Sequence, residues 1–348
     1  KNMKEGLLSV STEIGSINIG DYIQALASSQ FLKKIDTFIE REKLNEYDGE
    51  DIAMIMNGWY MHHPEHWPPS PQIHPLFISF HLNDLADNHL LNKESLDYLR
   101  QYEPIGCRDY STVNKLMSRG IKAYFSGCMT LTLGYKYHSV QKDDKVYFTD
   151  PPVLFAGKMD KIKYLLYSVY HFNDKYRIYR KWYGRDKFDI RNIIKVSKFY
   201  HVYNNLFDRK LLLEAEYIQQ EGSFYYYEYK TPQALLEKAE QMVQTYAKAS
   251  CVVTSRIHCA LPCLGLETPV LFINDRSQSS VSSCRLDGLL QLFNVVYYSN
   301  GSLVPFLEYD EMNKITKDNF PNNKKSWRCF ADELIGKCNK FLAEIENH

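Results

Sequence analysis

The stretch that decides the fold is CVVTSRIHCALPCLGLETPVLFIN, Cys251–Asn274. An apolar run, a polar turn, a short apolar helix and a second apolar run follow one another, as in a parallel α/β unit. The turn carries Thr254, Ser255, Arg256 and His258. In such folds ligands bind at the carboxyl ends of strands, where helix N-termini offer N–H groups to anions. Arginine adds a permanent charge with a planar donor fork, and histidine a proton near neutral pH. Placed two residues apart, the pair points to an enzyme that grips an anionic substrate and moves a proton.

Working outward, the same alternation runs through the chain. Leu7–Ser11, Ile52–Asn57, Leu76–Phe80, Ile105–Arg108 and Ala123–Ser126 read as strands. Helices are expected from Asp21 to about Phe31, over Glu94–Arg100 and over Ser111–Arg119. The charged segment Gln141–Asp144 marks a boundary. Beyond it, Val146–Thr149, Lys195–Val202, Phe224–Tyr229 and Val295–Tyr298 read as strands. Asp208–Gln219, Pro232–Ala249 and Trp327–Glu346 read as helices, and residues 158–190 as a basic, aromatic segment. The pattern predicts a first domain over residues 1–140, a second over 141–325, and a helix over 326–348 that packs back on the first.

Composition narrows the function classes. The 348 residues carry no net charge, with 45% hydrophobic and 24% charged residues. This is ordinary for a globular enzyme and argues against nucleic acid as the main partner. No apolar run approaches the ~18 residues of a membrane span. Without an evident basic amphipathic helix, at most transient membrane association is expected. The eight cysteines form no CxxC pair, which suits free thiols in a reducing cytoplasm. The 27 tyrosines include candidate stacking surfaces for sugars.

Further constellations stand beside the first. Asn18-Ile19-Gly20-Asp21 opens a helix and would bring backbone close to a ligand, or simply cap the helix. Gly106-Cys107-Arg108-Asp109 places an arginine at a strand end, where it either meets a ligand or pairs with Asp109. Cys128, after Ser126-Gly127, is either a reactive thiol or a buried one. His62, His63, His66, His74 and His81 lack the spacing of a metal site. With Asn57, Trp59, Tyr60 and Trp67 they suit a sugar-contacting loop better. Arg276 and Arg285 flank the serine-rich stretch Ser277–Ser283, a candidate phosphate-binding lid or a solvated loop.

Four stretches, in order, resemble the polysaccharide pyruvyl transferase family: NIGDYIQALA from Asn18, MNGWY from Met56, PIGCRDYSTVNKLMSRGIKAYFSGCMTLTL from Pro104 and VVTSRIHCALPCLGLETPVLFI from Val252. The resemblance implies an α/β fold of two Rossmann-like domains with mostly parallel sheets, facing across a cleft in the arrangement called GT-B in glycosyltransferases. It implies transfer of pyruvate from phosphoenolpyruvate (PEP) to two hydroxyls of a sugar, giving a cyclic ketal. The acceptor would be a polysaccharide precursor for a bacterial or fungal surface glycan, often lipid-linked.

Within that picture Arg256 and His258 are the expected catalytic residues. Arg256, Arg108, Ser255, Arg285 and Arg276 would hold PEP, and Asn18, Asp21, Asn57, Trp59 and Tyr60 the acceptor. No cofactor or metal is expected beyond PEP as co-substrate, and Cys128 is a reserve proton donor. Two other readings are a metal-independent glycosyltransferase using a nucleotide sugar and a non-catalytic scaffold in glycan assembly.

Overall fold

The computed structural model describes residues 3–10, 17–184, 188–275, 284–306 and 313–346. The strands of the first half are β1 (Lys4–Ser9), β2 (Ile17–Asn18), β3 (Thr37–Glu40), β4 (Ile52–Tyr60), β5 (Ile73–Leu82), β6 (Ile105–Cys107) and β7 (Ala123–Phe125). Those of the second are β8 (Val146–Thr149), β9 (Glu216–Ile218), β10 (Glu221–Gly222), β11 (Cys251–Thr254), β12 (Val270–Asp275), β13 (Asn294–Ser299) and β14 (Ser302–Phe306). One six-stranded sheet runs β3-β1-β4-β5-β6-β7 and is parallel throughout. The other runs β14-β13-β12-β11-β8-β9 and is parallel except at the β13–β14 edge. β2 and β10 form a small antiparallel ribbon that ties the two halves together.

The strands alternate between two apolar layers because successive side chains point to opposite faces. In the second sheet Val252, Val270 and Phe272 enter a central core, while Cys251, Val253, Leu271 and Ile273 enter an outer one. In the first sheet Leu7, Ile55 and Ile78 face the same central core, and Leu8, Met54, Met56 and Phe77 face their own outer layer. The central core is therefore shared by both halves. It is filled by the helices Ile19–Ser29, Pro232–Lys248, Ile257–Gly265 and Arg328–Glu346. The last of these packs on the segment Met129–Thr132 and on β4 and β5 of the first sheet.

Several local expectations are corrected. Lys195–Val202 lies in a helix, Ile190–Tyr203. Its buried residues Ile193, Val196, Phe199, Tyr200 and Tyr203 recur every three or four positions, and that period outweighs the β propensity of the run. Phe224–Tyr229 is likewise mostly helical, Ser223–Glu228. The expected helix Asp208–Gln219 is shortened to Arg209–Glu214 and gives way to β9. β4 extends through Trp59 and Tyr60, with a bulge between Met56 and Gly58. Asn18 caps the first long helix by accepting the Gly20 N–H at 2.9 Å, and Asp109 caps Tyr110–Met117.

The tightest approach between the halves is backbone on backbone. A Cβ on Gly265 would collide with the Leu131 carbonyl, and one on Gly134 with the Gly265 carbonyl. A main-chain atom cannot swing aside as a side chain can. Gly265→Ala should therefore cost about 1–3 kcal/mol and lower the thermal midpoint. Gly336, in the helix Arg328–Glu346, has open space around it. Gly336→Ala should stabilise by about 0.5–1 kcal/mol. Equal midpoints for the two variants would contradict this packing.

Candidate active site

The carboxyl ends of both sheets converge on one region. Arg108 follows β6, His81 lies near the end of β5, Asp150 follows β8, and Ser255 and Arg256 follow β11. His258 sits at a kink in the first turn of Ile257–Gly265. The N-terminus of Ile19–Ser29 approaches it closely. A Cβ on Gly20 would lie 3.1 Å from His258 Cβ and 2.9 Å from both Asn18 Oδ1 and Gln220 Nε2. A side chain at position 20 would have to displace the Asn18 and Gln220 side chains and press on His258.

Arg108 is only 2% exposed. Its Nη1 donates to Gln24 Oε1 at 3.1 Å and more weakly to His258 Nε2 at 3.4 Å. A guanidinium only donates, so His258 Nε2 accepts and the imidazole proton is on Nδ1. Burial, then the Arg108 and Arg285 guanidiniums and His81, hold His258 well below the ordinary histidine value, so it is neutral at pH 7. Burial and the Arg108 and Arg256 charges similarly depress Arg285. Among the described residues no carboxylate lies within ion-pair distance of Arg108 or Arg285, and the Nε of each is buried without a hydrogen-bond partner. Buried N–H groups normally have partners, and here two guanidiniums carry orphaned ones beside the same histidine.

Arg256 is differently placed. Its Nε donates to Asp150 Oδ2 at 2.9 Å and its Nη1 meets Glu221 Oε2 at 2.8 Å. Ser255 Oγ donates to the Asp150 carbonyl at 2.7 Å, and the Gln220 N–H to Asp150 Oδ2 at 2.9 Å. Asp150 thus fastens β8, the turn after β11 and the β9–β10 connection, holding a positive φ of 45° as it does so. Behind Arg108, His81 Nδ1 donates to Asp109 Oδ2 at 2.5 Å, and Asp109 Oδ1 accepts the Thr112 N–H at 2.8 Å. Burial and Arg108 keep His81 neutral. Burial alone would raise the Asp109 carboxyl, but His81, Arg108 and the Thr112 amide hold it below its usual value.

The structure brings Arg108, Arg256, Ser255, His258 and Arg285 together with Asn18. Arg276 lies outside the described residues. Asp21 is near, accepting from Gln24 Nε2 at 3.3 Å, and lies 3.7 Å from Arg41 Nη1. Asn57 is buried and committed to Ser28 and to the Gln24 carbonyl. Trp59 is half-buried with the Arg41 guanidinium 5.2 Å from its ring centroid. Tyr60 is fully buried among Trp67 and Phe80, its hydroxyl on Met56 Sδ. Trp67 is also core, donating to Ser95, so neither ring is presented to a ligand. Cys128 is buried against Thr130, and burial pushes its thiol up while Arg108 opposes. No group of three or more His, Cys, Asp or Glu among the described residues could hold a metal ion. Asp109 and His81 stood out in the sequence only as a partner for Arg108 and as one of a run of histidines, whereas Asp150, Gln220 and Glu221 join the site only through folding.

Two mostly parallel sheets whose carboxyl edges converge on Arg108, Arg256, Arg285 and His258 make an α/β fold with a cationic site. The chain belongs to the polysaccharide pyruvyl transferase family, whose model matches residues 18–277. That span contains Asn18, Arg108, Ser255, Arg256 and His258. No curated protein shows significant similarity to the chain.

Two expectations follow from the charges. Arg108 is desolvated and makes no ion pair among the described residues, which costs stability. Arg108→Met should add about 1 kcal/mol or more of stability and so raise the thermal midpoint. An unchanged or lower midpoint would show that the charge is compensated. His258 has a folded pKa below its unfolded value, so below about pH 6.5 the unfolded chain binds the extra proton and stability falls as pH falls. His258→Gln should flatten that slope by up to about 1.4 kcal/mol per pH unit, read from urea unfolding across this window. An unaltered slope would mean that His258 titrates normally.

Proposed function

We propose that this chain transfers the pyruvyl group of PEP to two hydroxyls of a glycan or lipid-linked sugar, closing a cyclic ketal and releasing phosphate. The observation that supports this most is the pair of guanidiniums, Arg108 buried and Arg285 partly buried, whose Nε groups have no hydrogen-bond partner among the described residues and whose charges both act on a neutral histidine. PEP carries a phosphate and a carboxylate. Arg108 and Arg285 hold these groups, and the half-exposed Arg256, already braced by Asp150 and Glu221, completes the rim. Ser255 fixes the turn that carries it. Fixed guanidiniums supply the charge stabilisation that a divalent ion would otherwise provide.

His258 carries the proton traffic. In the free enzyme it is neutral because burial and the neighbouring cations disfavour its charged form. A bound dianion offsets that repulsion, so PEP binding raises its proton affinity and arms it as an acid. A proton is delivered to the PEP methylene carbon, the C3–H bond forms, and C2 becomes electrophilic. The first sugar hydroxyl adds to C2 and yields its proton to His258. The C2–O bond to phosphate breaks, phosphate departs with the bonding pair, and the second hydroxyl closes the ketal while its proton goes to phosphate. Across the cycle one hydroxyl proton ends on the pyruvyl methyl group and the other on phosphate. On the acceptor side, Trp59 and Asp21 are the partly exposed residues, linked through Arg41. Asn18 acts through the helix end it caps.

The test is phosphate release from PEP in the presence of candidate glycans, with EDTA present. His258→Gln should bind PEP nearly normally, lose the proton uptake that calorimetry in buffers of different ionisation enthalpy detects, and turn over roughly 10²–10⁴-fold more slowly. Arg108→Met should instead weaken PEP binding by about one to two decades. Release of a nucleoside diphosphate from a nucleotide sugar, with PEP untouched, would transfer the chain to glycosyl transfer. A wild-type kcat in a stable His258→Gln protein would remove the histidine from the mechanism.

A further inference from the structure

Residues 154–190 concentrate the apolar surface of this protein. Of the twenty large hydrophobic side chains that are exposed among the described residues, eleven lie between Leu154 and Ile190. The helix Lys158–Tyr167 is the centre of this patch, and its faces are reversed relative to an ordinary surface helix. Tyr164 is its only buried residue. Asp160, on the same side, pairs with Lys198. Met159, Ile162 and Leu166, at i, i+3 and i+7, form a stripe on the opposite side, and Met159 and Leu166 are 76% and 68% exposed. Val169, Tyr170, Phe172 and Tyr176 continue the apolar surface past the helix end, all exposed.

Lysines flank the stripe. Lys163 lies on one side of it, Lys158 and Lys161 on the other, and none has an acidic partner within ion-pair distance among the described residues. Lys158–Gly184 holds seven Lys and Arg against two Asp, in a chain of zero net charge. Both aspartates are spent on other elements, Asp160 on Lys198 and Asp174 on Arg209. The surface also adjoins a cavity. A space of about 800 Å³ at the carboxyl ends of β12 and β13 is bordered by Asp160, Lys163, Lys198, His201, Asp275 and Tyr298. Lys163 borders both this cavity and the apolar depression of the helix.

We propose that the outward face of Lys158–Tyr170 docks on the surface of an anionic lipid bilayer, with Met159, Ile162 and Leu166 entering the acyl boundary and the lysines meeting lipid phosphates. Apolar side chains at the centre and cations at the rim match the two layers of a membrane interface. A second copy of the chain fits less well, because a two-fold contact would set this basic surface against itself. Docking brings the cavity mouth to the bilayer, where a saccharide carried on a lipid would be presented. The sequence pattern conceals this helix because apolar residues occupy both its buried and its outward side. The proposal concerns the helix Lys158–Tyr167, which carries none of the residues assigned to PEP, and its test does not use the PEP reaction.

Flotation of the full chain with vesicles tests it. The wild-type protein should float with phosphatidylglycerol-containing vesicles, bind pure phosphatidylcholine vesicles much more weakly, and lose affinity as salt rises. Combined Met159→Ser, Ile162→Ser and Leu166→Ser substitutions should weaken binding at least about a hundredfold. Lys158→Glu with Lys161→Glu should weaken it by roughly fivefold or more for each charge. All five positions are exposed, so melting curves should remain those of wild type. Failure of the wild-type protein to float, or equal binding by the variants, overturns the proposal. It is also overturned by a dimer, seen by light scattering, that the triple substitution splits, since the face then belongs to a second copy.

Discussion

The site depends on positive charge that is drawn into the protein without an ion-paired carboxylate among the described residues. Arg108 and Arg285 repel one another, and among the described residues neither lies within ion-pair distance of an acid. Such an arrangement persists only if the surrounding packing is strong enough to carry it. Here the packing is the central core shared by both sheets, with backbone against backbone at Gly134, Gly265 and Leu131. Acids that could have relieved the strain are turned elsewhere. Asp109 is taken by His81 and by a helix cap, while Asp150 and Glu221 are taken by Arg256.

The same arrangement sets the state of the histidine. An imidazole among cations, and close to the N-terminus of Ile19–Ser29, is kept neutral by its surroundings. Under the proposed function it is a base at rest and becomes an acid only when negative charge arrives. Binding and proton transfer would then share one electrostatic design, in which the guanidiniums that attract the anion also withhold the proton until it comes.

Much of this was legible in the sequence, for identifiable reasons. Continuous apolar runs such as Cys251–Val253 and Val270–Ile273, buried on both faces, marked the parallel units and placed Arg256 and His258 at a strand end. Arg108 was found because it follows an apolar run and precedes a helix. Legibility failed where local propensity and tertiary period disagree, as in Ile190–Tyr203 and Ser223–Glu228, whose aromatic and β-branched residues mimic strands. It failed again for Tyr60 and Trp67, because an aromatic ring in a loop-like, proline-rich stretch looks the same whether it meets a sugar or a core. Residues such as Gln24, His81 and Asp150 belong to the site only through distance in three dimensions, and no spacing along the chain records that.

The helix Arg328–Glu346 closes the central core against β4, β5 and Met129–Thr132, and this bears on how the protein is made. Multidomain chains generally fold in order of synthesis, the N-terminal unit first. In this chain the inner face of the first sheet is covered partly by Ile19–Ser29 and partly by a helix that leaves the ribosome after the entire second sheet. The β2–β10 ribbon imposes the same delay, since Asn18 pairs with Glu221. Part of the apolar face of the first sheet therefore stays uncovered until the second half has emerged, and the nascent chain exposes that surface in the meantime.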